Sequence, residues 1–283
     1  MSGERTLKRL LEGGRYFEAP RWHNDRLWLV DTMARTLLSV TLAGKCEQHA
    51  TFDDTPCGTG FLPDGRLIVL TMNRKQLWAY RDSKLLPYAD LSSIASGALD
   101  DMIVDGLGRA WVGDLGFDMP PPPDRGAIGR IILVTPDGQM RVAADGLSFP
   151  NGIAVSPDNC RLVVAEMDRA CLADYDIGGD GALTFRRRLG SFKDPDGICL
   201  DADGAVWVAS FNEDAFIRLG RDGHEQERLP VPGKRAIACT LGGRHRQTLF
   251  CLSAETSPEE LRQRKSTADV DTVEVEIPGA GYP

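Results

Sequence analysis

Hydrophobic and polar positions along this chain follow one recurring pattern: a polar turn rich in Asp, Gly or Asn, then a short run of alternating apolar and β-branched residues. The pattern occurs at Trp22–Val30, Leu62–Leu70, Asp105–Gly113, Ser156–Ala165, Asp201–Ala209 and Leu241–Leu252, with turns 40 to 52 residues apart. One hairpin per unit at this period is typical of the four-stranded blades of a propeller. The pattern predicts an all-β fold, a six-bladed β-propeller. Polar residues just before each hairpin should then converge on the central channel.

Further strand patterns lie between the turns, and helical periodicity is almost absent. They are found at Leu37–Val40, Leu67–Leu70, Leu77–Tyr80, Ile128–Thr135, Val163–Glu166, Val206–Ser210 and Thr272–Ile277. A strand near Arg5–Leu11 is expected to complete the same blade as the C-terminal strand. The ring would then be closed by the N- and C-terminal strands and leave no exposed sheet edge.

Two segments interrupt the pattern. Residues 115–126 contain four consecutive prolines, which cannot donate ladder hydrogen bonds, so they are expected to form an excursion between strands or a stiff wall over the channel mouth. Residues 255–271 are polar and charged and are predicted to form a flexible loop or a short helix.

Composition narrows the class of protein. Six units of this length account for the 283 residues, so we predict one propeller domain over residues 1–283. The net charge of −8 argues against nucleic acid and anionic membranes as partners. No apolar run approaches the roughly 18 residues of a membrane span, and the charged N-terminus lacks a signal-peptide pattern. We therefore expect a cytoplasmic protein that is a monomer or a weak oligomer.

Cysteine and histidine residues indicate no further chemistry. The seven cysteines are scattered without zinc-binding spacing and are expected to be reduced thiols, most of them in or beside strands. The four histidines lie in or beside turns and are expected to be exposed. Their absence from the candidate site counts against a Ser-His-Asp hydrolase.

Several oxygen-bearing side chains occupy the same place in different repeats, just before a hairpin stretch. They are Glu18 in the first repeat, Asp100 and Asp101 in the third, Asn151 in the fourth and Asp196 in the fifth. A ring of hard oxygen donors from separate blades suits a divalent cation, and several carboxylates held together are costly without one. Two alternatives stay open: Asn151, which precedes a glycine, could be a turn residue, and Asp101 could stabilise a blade.

These motifs resemble the SMP-30/gluconolactonase/regucalcin family. The resemblance rests on E-A-P at 18–20, P-N-G-I-A-V-S-P-D at 150–158 and P-D-G at 195–197 followed by V-W-V-A at 206–209. It implies a six-bladed propeller and, as in many members, a metal-dependent lactonase. It also implies that Glu18, Asn151 and Asp196 ligate one divalent ion and that Asp196 accepts the proton of the attacking water.

The third repeat departs from the family pattern. The motif usually reads R-x-N-D-G, in which the Arg and Asn bind substrate hydroxyls, whereas this chain has A-L-D-D-M at 98–102. Asp100 therefore stands where the family has an amide, and Asp118 matches the family's other substrate-contacting acid only loosely. Without the Arg, the pocket loses a multidentate donor for a polyhydroxylated acid. A less hydroxylated lactone is favoured.

The function predicted from the sequence is hydrolysis of the ring ester of a sugar-acid or related small lactone. One divalent ion (Ca²⁺, Zn²⁺, Mn²⁺, Mg²⁺ or Fe²⁺) would act as Lewis acid. Asp196 would serve as proton acceptor, with Asp101 as second choice, and Asp100 and Asp118 would contact the substrate. The alternatives are a metal-dependent phosphotriesterase and a non-enzymatic metal- or metabolite-binding propeller.

Overall fold

The strands form six four-stranded antiparallel sheets arranged as a six-bladed β-propeller, which confirms the predicted fold class. The computed structural model describes residues 5–124 and 126–281. The first strand of each blade lies innermost, and it contacts the first strands of the two neighbouring blades. The residues that begin these six inner strands therefore meet at one end of the channel.

Blades 1 to 5 follow chain order from the inside outward. Blade 1 contains β2 (Phe17–His23), β3 (Arg26–Asp31), β4 (Thr36–Thr41) and β5 (Cys46–Thr51). Blade 2 contains β6 (Pro56–Phe61), β7 (Leu67–Thr71), β8 (Gln76–Arg81) and β9 (Lys84–Asp90). Blade 3 contains β10 (Leu99–Val104), β11 (Ala110–Asp114), β12 (Gly129–Val134) and β13 (Met140–Leu147). Blade 4 contains β14 (Pro150–Val155), β15 (Arg161–Glu166), β16 (Cys171–Ile177) and β17 (Leu183–Leu189), and blade 5 contains β18 (Pro195–Leu200), β19 (Val206–Ser210), β20 (Ala215–Leu219) and β21 (Glu225–Pro230).

Blade 6 joins the two ends of the chain. Its order is β22 (Arg235–Gly242), β23 (Thr248–Glu255), β24 (Thr267–Glu274) and finally β1 (Lys8–Gly14). The predicted closure is confirmed, but β1 begins three residues later and β24 five residues earlier than the sequence pattern indicated. The outermost strand β1 is held by main-chain hydrogen bonds and needs little apolar alternation, so its limits are weakly encoded. The first half of β24 is buried but carries Asp269 and Asp271, which form ion pairs with Arg9, so its sequence does not resemble a buried strand.

The hydrophobic core lies between the blades. Between blades 2 and 3, for example, Leu70 and Leu77 pack against Met102 and Val112 in one buried cluster. The largest fully buried side chains include Trp111, Trp207, Phe216 and Phe250. Because each blade buries one face against the next, no blade has a complete core by itself.

Two glycines of the P-N-G and P-D-G motifs lie within inner strands. A Cβ on Gly152 would come within 2.5 Å of the Asp196 carbonyl oxygen, and one on Gly197 within 2.5 Å of the Ala238 Cβ. These glycines therefore let the main chains of neighbouring inner strands approach each other. Asn151 is accordingly a residue of β14, which removes the alternative that it belongs to a turn.

The two interruptions behave differently. The proline-rich segment is an excursion between β11 and β12, and its described residues, 115–124 and 126, form no strand. The second contains the helix α1 (Pro258–Arg262), capped by the Ser257 side chain, but β24 already begins within it. Short 3₁₀ turns occur at Met167–Arg169 and Phe211–Glu213. No helix in residues 5–124 and 126–281 is long and apolar enough to cross a membrane.

The expectation of exposed histidines is wrong for two of the four. His23 stacks on Phe61 at 3.9 Å between ring centroids, and His49 stacks on Trp28 at 4.5 Å. Both are partly buried because strands of blades 1 and 2 place aromatic side chains over them. All seven cysteines are free, as expected.

Deleting residues 1–14 should destabilise the protein by more than about 3 kcal/mol, because β24 would lose its outer partner and expose unpaired main-chain groups. Urea unfolding followed by intrinsic fluorescence measures the change. Arg9→Ala is the control, since it removes ion pairs to Glu12, Asp269 and Asp271 but leaves the strand in place, and it should cost about 1 kcal/mol. Equal stability of the deletion and the full chain would contradict this account of closure.

Gly152→Ala should cost about 3 kcal/mol, because the added methyl group would overlap main-chain atoms of β18 that cannot move independently. The matched control is Gly179→Ala, whose added Cβ meets no atom within 4 Å. Chemical denaturation of both variants tests the prediction. If the two substitutions lowered the unfolding free energy equally, close approach of the inner strands would not explain the glycine.

Candidate metal centre

The candidate site residues occupy equivalent register positions on the inner strands. In blade 5, Ser210 is the last residue of the second strand and pairs with Pro195, and Asp196 is the next residue after Pro195. The candidate position in each of blades 1 to 4 is defined in the same way. In blade 6 the preceding residue pairs with the next-to-last residue of the second strand. We call these six positions the axial ring: Glu18, Cys57, Asp100, Asn151, Asp196 and Ala236. Propeller geometry thus brings together three carboxylates and an amide that are far apart in sequence.

The carboxylates of the axial ring influence one another strongly. Burial and then the charges of Asp196, Asp100 and Asp101 raise the pKa of the Glu18 carboxyl well above its ordinary value. Burial and the charges of Asp100 and Asp101 do the same to the pKa of Asp196. Burial beside Asp101 raises the pKa of Asp100 to about 7. Several like charges held in a poorly solvated channel create a strong demand for a cation.

Asp196 carries the clearest sign of an absent ligand. Its side chain is only 2% exposed, and the Asn151 side chain forms a hydrogen bond with it that favours the charged carboxylate. The Oδ1 atom has no hydrogen-bond partner among the described residues. A buried, unpartnered carboxylate oxygen costs free energy unless a cation or an ordered water meets it. The donor set of Glu18, Asn151 and Asp196 therefore fits a hard divalent cation.

The candidate ligand set of Glu18, Asn151 and Asp196 is a mixture of carboxylates and an amide. In residues 5–124 and 126–281, no group of three or more His, Cys, Asp or Glu side chains is placed to hold a metal ion. The set proposed from sequence contains two carboxylates, and its third oxygen belongs to the Asn151 amide. Amide oxygens also serve as ligands of hard cations beside carboxylates, although they contribute no charge.

A residue with left-handed backbone conformation lies within the inner strand β2, and another directly precedes each of β14 and β18. Ala19 has φ of 50°, Phe149 of 52° and Asp194 of 58°, and each is followed by a proline. Residues other than glycine seldom adopt this conformation, which clusters at functional sites where surrounding structure enforces it. The N–H of Ala19 donates to Oε2 of the preceding Glu18 at 3.1 Å.

Asp101 lies beside the axial ring but is engaged by three blades. Its carboxylate accepts hydrogen bonds from the Met102 N–H at 2.7 Å and from the Ile153 N–H at 3.2 Å. Arg21 of blade 1 places Nη2 3.5 Å from Asp101 Oδ1. These contacts join neighbouring blades. They favour the alternative that Asp101 stabilises the blades over a role in direct contact with substrate. Burial still raises the pKa of Asp101, although Arg21 and both N–H groups oppose the rise.

Sequence reasoning missed Arg21. The side chain is 4% exposed, and its guanidinium donates to the Met102 carbonyl at 2.6 Å and to the Pro20 carbonyl at 2.8 Å. Four carboxylates cluster here: Glu18, Asp100, Asp101 and Asp196. Within the described part of the chain, the contact of Arg21 with Asp101 is the sole ion pair that any of them makes. A signal was available, since Arg21 lies between the apolar residues Pro20 and Trp22 of an inner strand, three residues after Glu18.

Tyr16 and Cys57 are two further residues that the sequence patterns did not indicate. Burial and the charges of Asp196, Glu18 and Asp100 raise the pKa of the Tyr16 phenol well above its ordinary value, which places Tyr16 beside the axial ring. The Cys57 thiol donates weakly to the Asp100 carbonyl at 3.3 Å and packs in the core between blades 2 and 3. The shared P-x-G pattern at Cys57, Asn151 and Asp196 could have identified the cysteine.

Asp118 is not brought into this group. It lies exposed in the excursion that follows β11. No hydrogen bond or ion pair among the described residues joins it to the axial ring. Its assignment to substrate binding therefore remains a prediction from resemblance.

Known proteins resemble the chain over almost its whole length. Residues 17–255 match the family model described as SMP-30/Gluconolactonase/LRE-like region. The chain is 24% identical over 257 residues to a pentonolactonase of Haloferax volcanii, an alignment that covers 88% of this chain and 85% of that protein. This relative is a named lactonase.

Solved structures agree on the fold. A gluconolactonase of Xanthomonas campestris superposes with a TM-score of 0.79 at 24% identity, covering 98% of this chain and 91% of that one. A calcium-binding regucalcin of Agrobacterium tumefaciens gives 0.78 at 19% identity, with 97% of both chains covered. The family model spans most of the sequence, and Glu18, Asn151 and Asp196 of the axial ring lie on the motifs that carry the resemblance. The chain therefore belongs to the SMP-30/gluconolactonase/LRE-like family.

Proposed function

We propose that this protein is a divalent-metal-dependent lactonase, which adds water to the ring ester of a small lactone and releases the hydroxy acid. The observation that carries the proposal is the unpartnered Asp196 Oδ1, buried among carboxylates that raise one another's pKa values. The family relation and the lactonase names of its relatives support the reaction class.

In this proposal Glu18, Asn151 and Asp196 hold the ion, which supplies Lewis-acid polarisation of an ester carbonyl when bound. Asp196 takes the proton from the attacking water and returns it to the ring oxygen as the carbon–oxygen bond breaks. Asp101 is the second choice of acceptor, although its oxygens are already occupied by N–H donors. Arg21 holds Asp101 in place and offsets part of the negative charge of the carboxylate cluster.

All-oxygen ligands are compatible with Ca²⁺, Mg²⁺, Mn²⁺, Fe²⁺ or Zn²⁺. The calcium-binding regucalcin of similar fold supports Ca²⁺ as the first ion to test. It also supports the second candidate function, a metal-binding propeller without hydrolytic activity. Titration of the metal-free protein together with a hydrolysis assay distinguishes the two.

Features around position 98 favour a substrate with few hydroxyl groups. Ala98 replaces the family's arginine and is buried in an apolar cluster with Leu115, Phe117 and Phe149. Asp100 can accept hydrogen bonds but, when ionised, cannot donate them. We therefore propose an aliphatic or sparsely hydroxylated lactone, bound with its polar edge toward Asp100 and, in the predicted arrangement, Asp118.

Asp196→Asn should lower kcat by about 100-fold or more and also weaken divalent-ion binding, because an amide is a poorer ligand and cannot accept the proton as a base. Lactone hydrolysis by pH-stat and isothermal titration of Ca²⁺, Mn²⁺ and Zn²⁺ measure the two effects. The control is Asp203→Asn, an exposed turn carboxylate of the same blade, which should leave both unchanged. Full turnover by Asp196→Asn would remove this residue from the mechanism.

Asp100→Asn should raise kcat/KM for aldonolactones about tenfold relative to an unsubstituted aliphatic lactone, because the amide restores a hydrogen-bond donor toward substrate hydroxyls. A panel of aldonolactones, aliphatic lactones and phosphotriesters, assayed with each added metal, measures the ratio. An unchanged ratio would show that Asp100 does not select the substrate. Rapid phosphotriester hydrolysis without lactone turnover would reject the lactonase proposal itself.

A further inference from the structure

Two cysteines from neighbouring blades meet beneath the axial ring. Cys199 lies on β18 of blade 5 and Cys239 on β22 of blade 6, and their Sγ atoms are 3.8 Å apart. We propose that this pair is a covalent modification site at which a small peroxide forms a disulfide between blades 5 and 6. The inference concerns thiol chemistry and does not rest on the proposed lactonase activity.

The main chains on either side of the pair are already close enough for such a bond. Gly197 packs so tightly on β22 that an added Cβ would lie 2.6 Å from the Ala238 Cα. A disulfide requires Sγ atoms about 2.05 Å apart, so the sulfurs must move together by less than 2 Å, a distance that side-chain rotation supplies. The two inner strands can therefore stay in place when the bond forms.

A small oxidant can reach one member of the pair. Cys199 is partly buried and lines a cavity of about 30 Å³ with Arg21, Thr240 and Gly279. The cavity lies toward the end of the channel opposite the axial ring, because β18 runs from Asp196 through Cys199 to its hairpin turn. One water needs roughly 10–15 Å³ of such volume, so the cavity has room for the two oxygen atoms of hydrogen peroxide. Cys239 is only 1% exposed and is placed to react second.

The chemistry balances with hydrogen peroxide as the named oxidant. The Cys199 sulfur attacks one peroxide oxygen, the O–O bond breaks, and sulfenic acid and one water form. The Cys239 sulfur then attacks the Cys199 sulfur, the S–O bond breaks, and the disulfide and a second water form. The two thiols lose two electrons and two protons in total, and the peroxide is reduced to two waters.

Burial of Cys199 determines how fast its thiol is expected to be oxidised. Burial, followed by the hydrogen bond and charge of Cys239, raises the pKa of the Cys199 thiol well above its ordinary value. Since the thiolate is the nucleophile, oxidation should be slow at neutral pH. Reaction over hours with excess peroxide is therefore the appropriate regime.

The remaining cysteines provide internal controls. Cys251 is the cross-strand partner of Cys239 and is fully buried in the same cluster, whereas Cys46 and Cys160 are exposed. No other pair of cysteines in the described residues is joined by a hydrogen bond. A background variant with Cys46→Ser and Cys160→Ser removes the exposed thiols that could link two molecules.

The experiment treats this folded background variant with hydrogen peroxide, alkylates the remaining thiols under denaturing conditions and maps peptides by mass spectrometry without reduction. We expect the loss of two alkylatable thiols and a cross-linked peptide pair containing Cys199 and Cys239, both reversed by dithiothreitol. The melting temperature should rise by about 5 °C on oxidation, because the cross-link restricts the unfolded chain.

Cys199→Ala and Cys239→Ala should each abolish the cross-link, whereas Cys251→Ala should retain it. Either cysteine variant alone suffices if the other fails to fold. A bridge between Cys239 and Cys251, or complete alkylation of Cys199 and Cys239 after oxidation of other groups, would overturn the proposal. None of these measurements uses lactone turnover, so failure here leaves the proposed reaction to be judged by its own assays.

Discussion

Close convergence of six inner strands on one narrow channel is the constraint on which the rest of this structure depends. The strands approach so tightly that Gly152 and Gly197 have no room for a Cβ. Equivalent register positions are thereby forced together, although they come from blades that are far apart in sequence. The same closeness that packs the ring also concentrates its polar side chains, so the fold and the candidate site share one cause.

The main consequence of that convergence is a high local concentration of negative charge. Glu18, Asp100, Asp101 and Asp196 are held in a poorly solvated space, and the pKa values of Glu18, Asp100 and Asp196 are raised by burial and by neighbouring carboxylates of this group. Among the described residues, Arg21 forms an ion pair with only one of these carboxylates. A folded protein tolerates such a concentration when protons, water or a cation relieve it. The buried Asp196 Oδ1 marks where a cation would relieve it most effectively.

Particular residues show how far sequence patterns reach. The repeated hairpin predicted six blades, and the shared position before each hairpin predicted that Glu18, Asn151 and Asp196 would meet the channel. Arg21 was missed because its one signal, a basic residue between apolar neighbours in a strand, does not repeat along the chain. Similarly, the contacts of Asp101 with the Met102 and Ile153 N–H groups depend on the register of two neighbouring blades, which alternation within one strand does not specify.

The sequence by itself determined the blade number, the all-β class, the family and the set of oxygen-bearing candidates, because alternation and turn residues are local properties that repeat. Only the tertiary structure decided that Asn151 and Gly152 lie in a strand, that Arg21 faces Asp101, and that Cys199 meets Cys239. The last two of these facts are contacts between blades. Such contacts follow from how the blades pack around the axis, which no single repeat encodes.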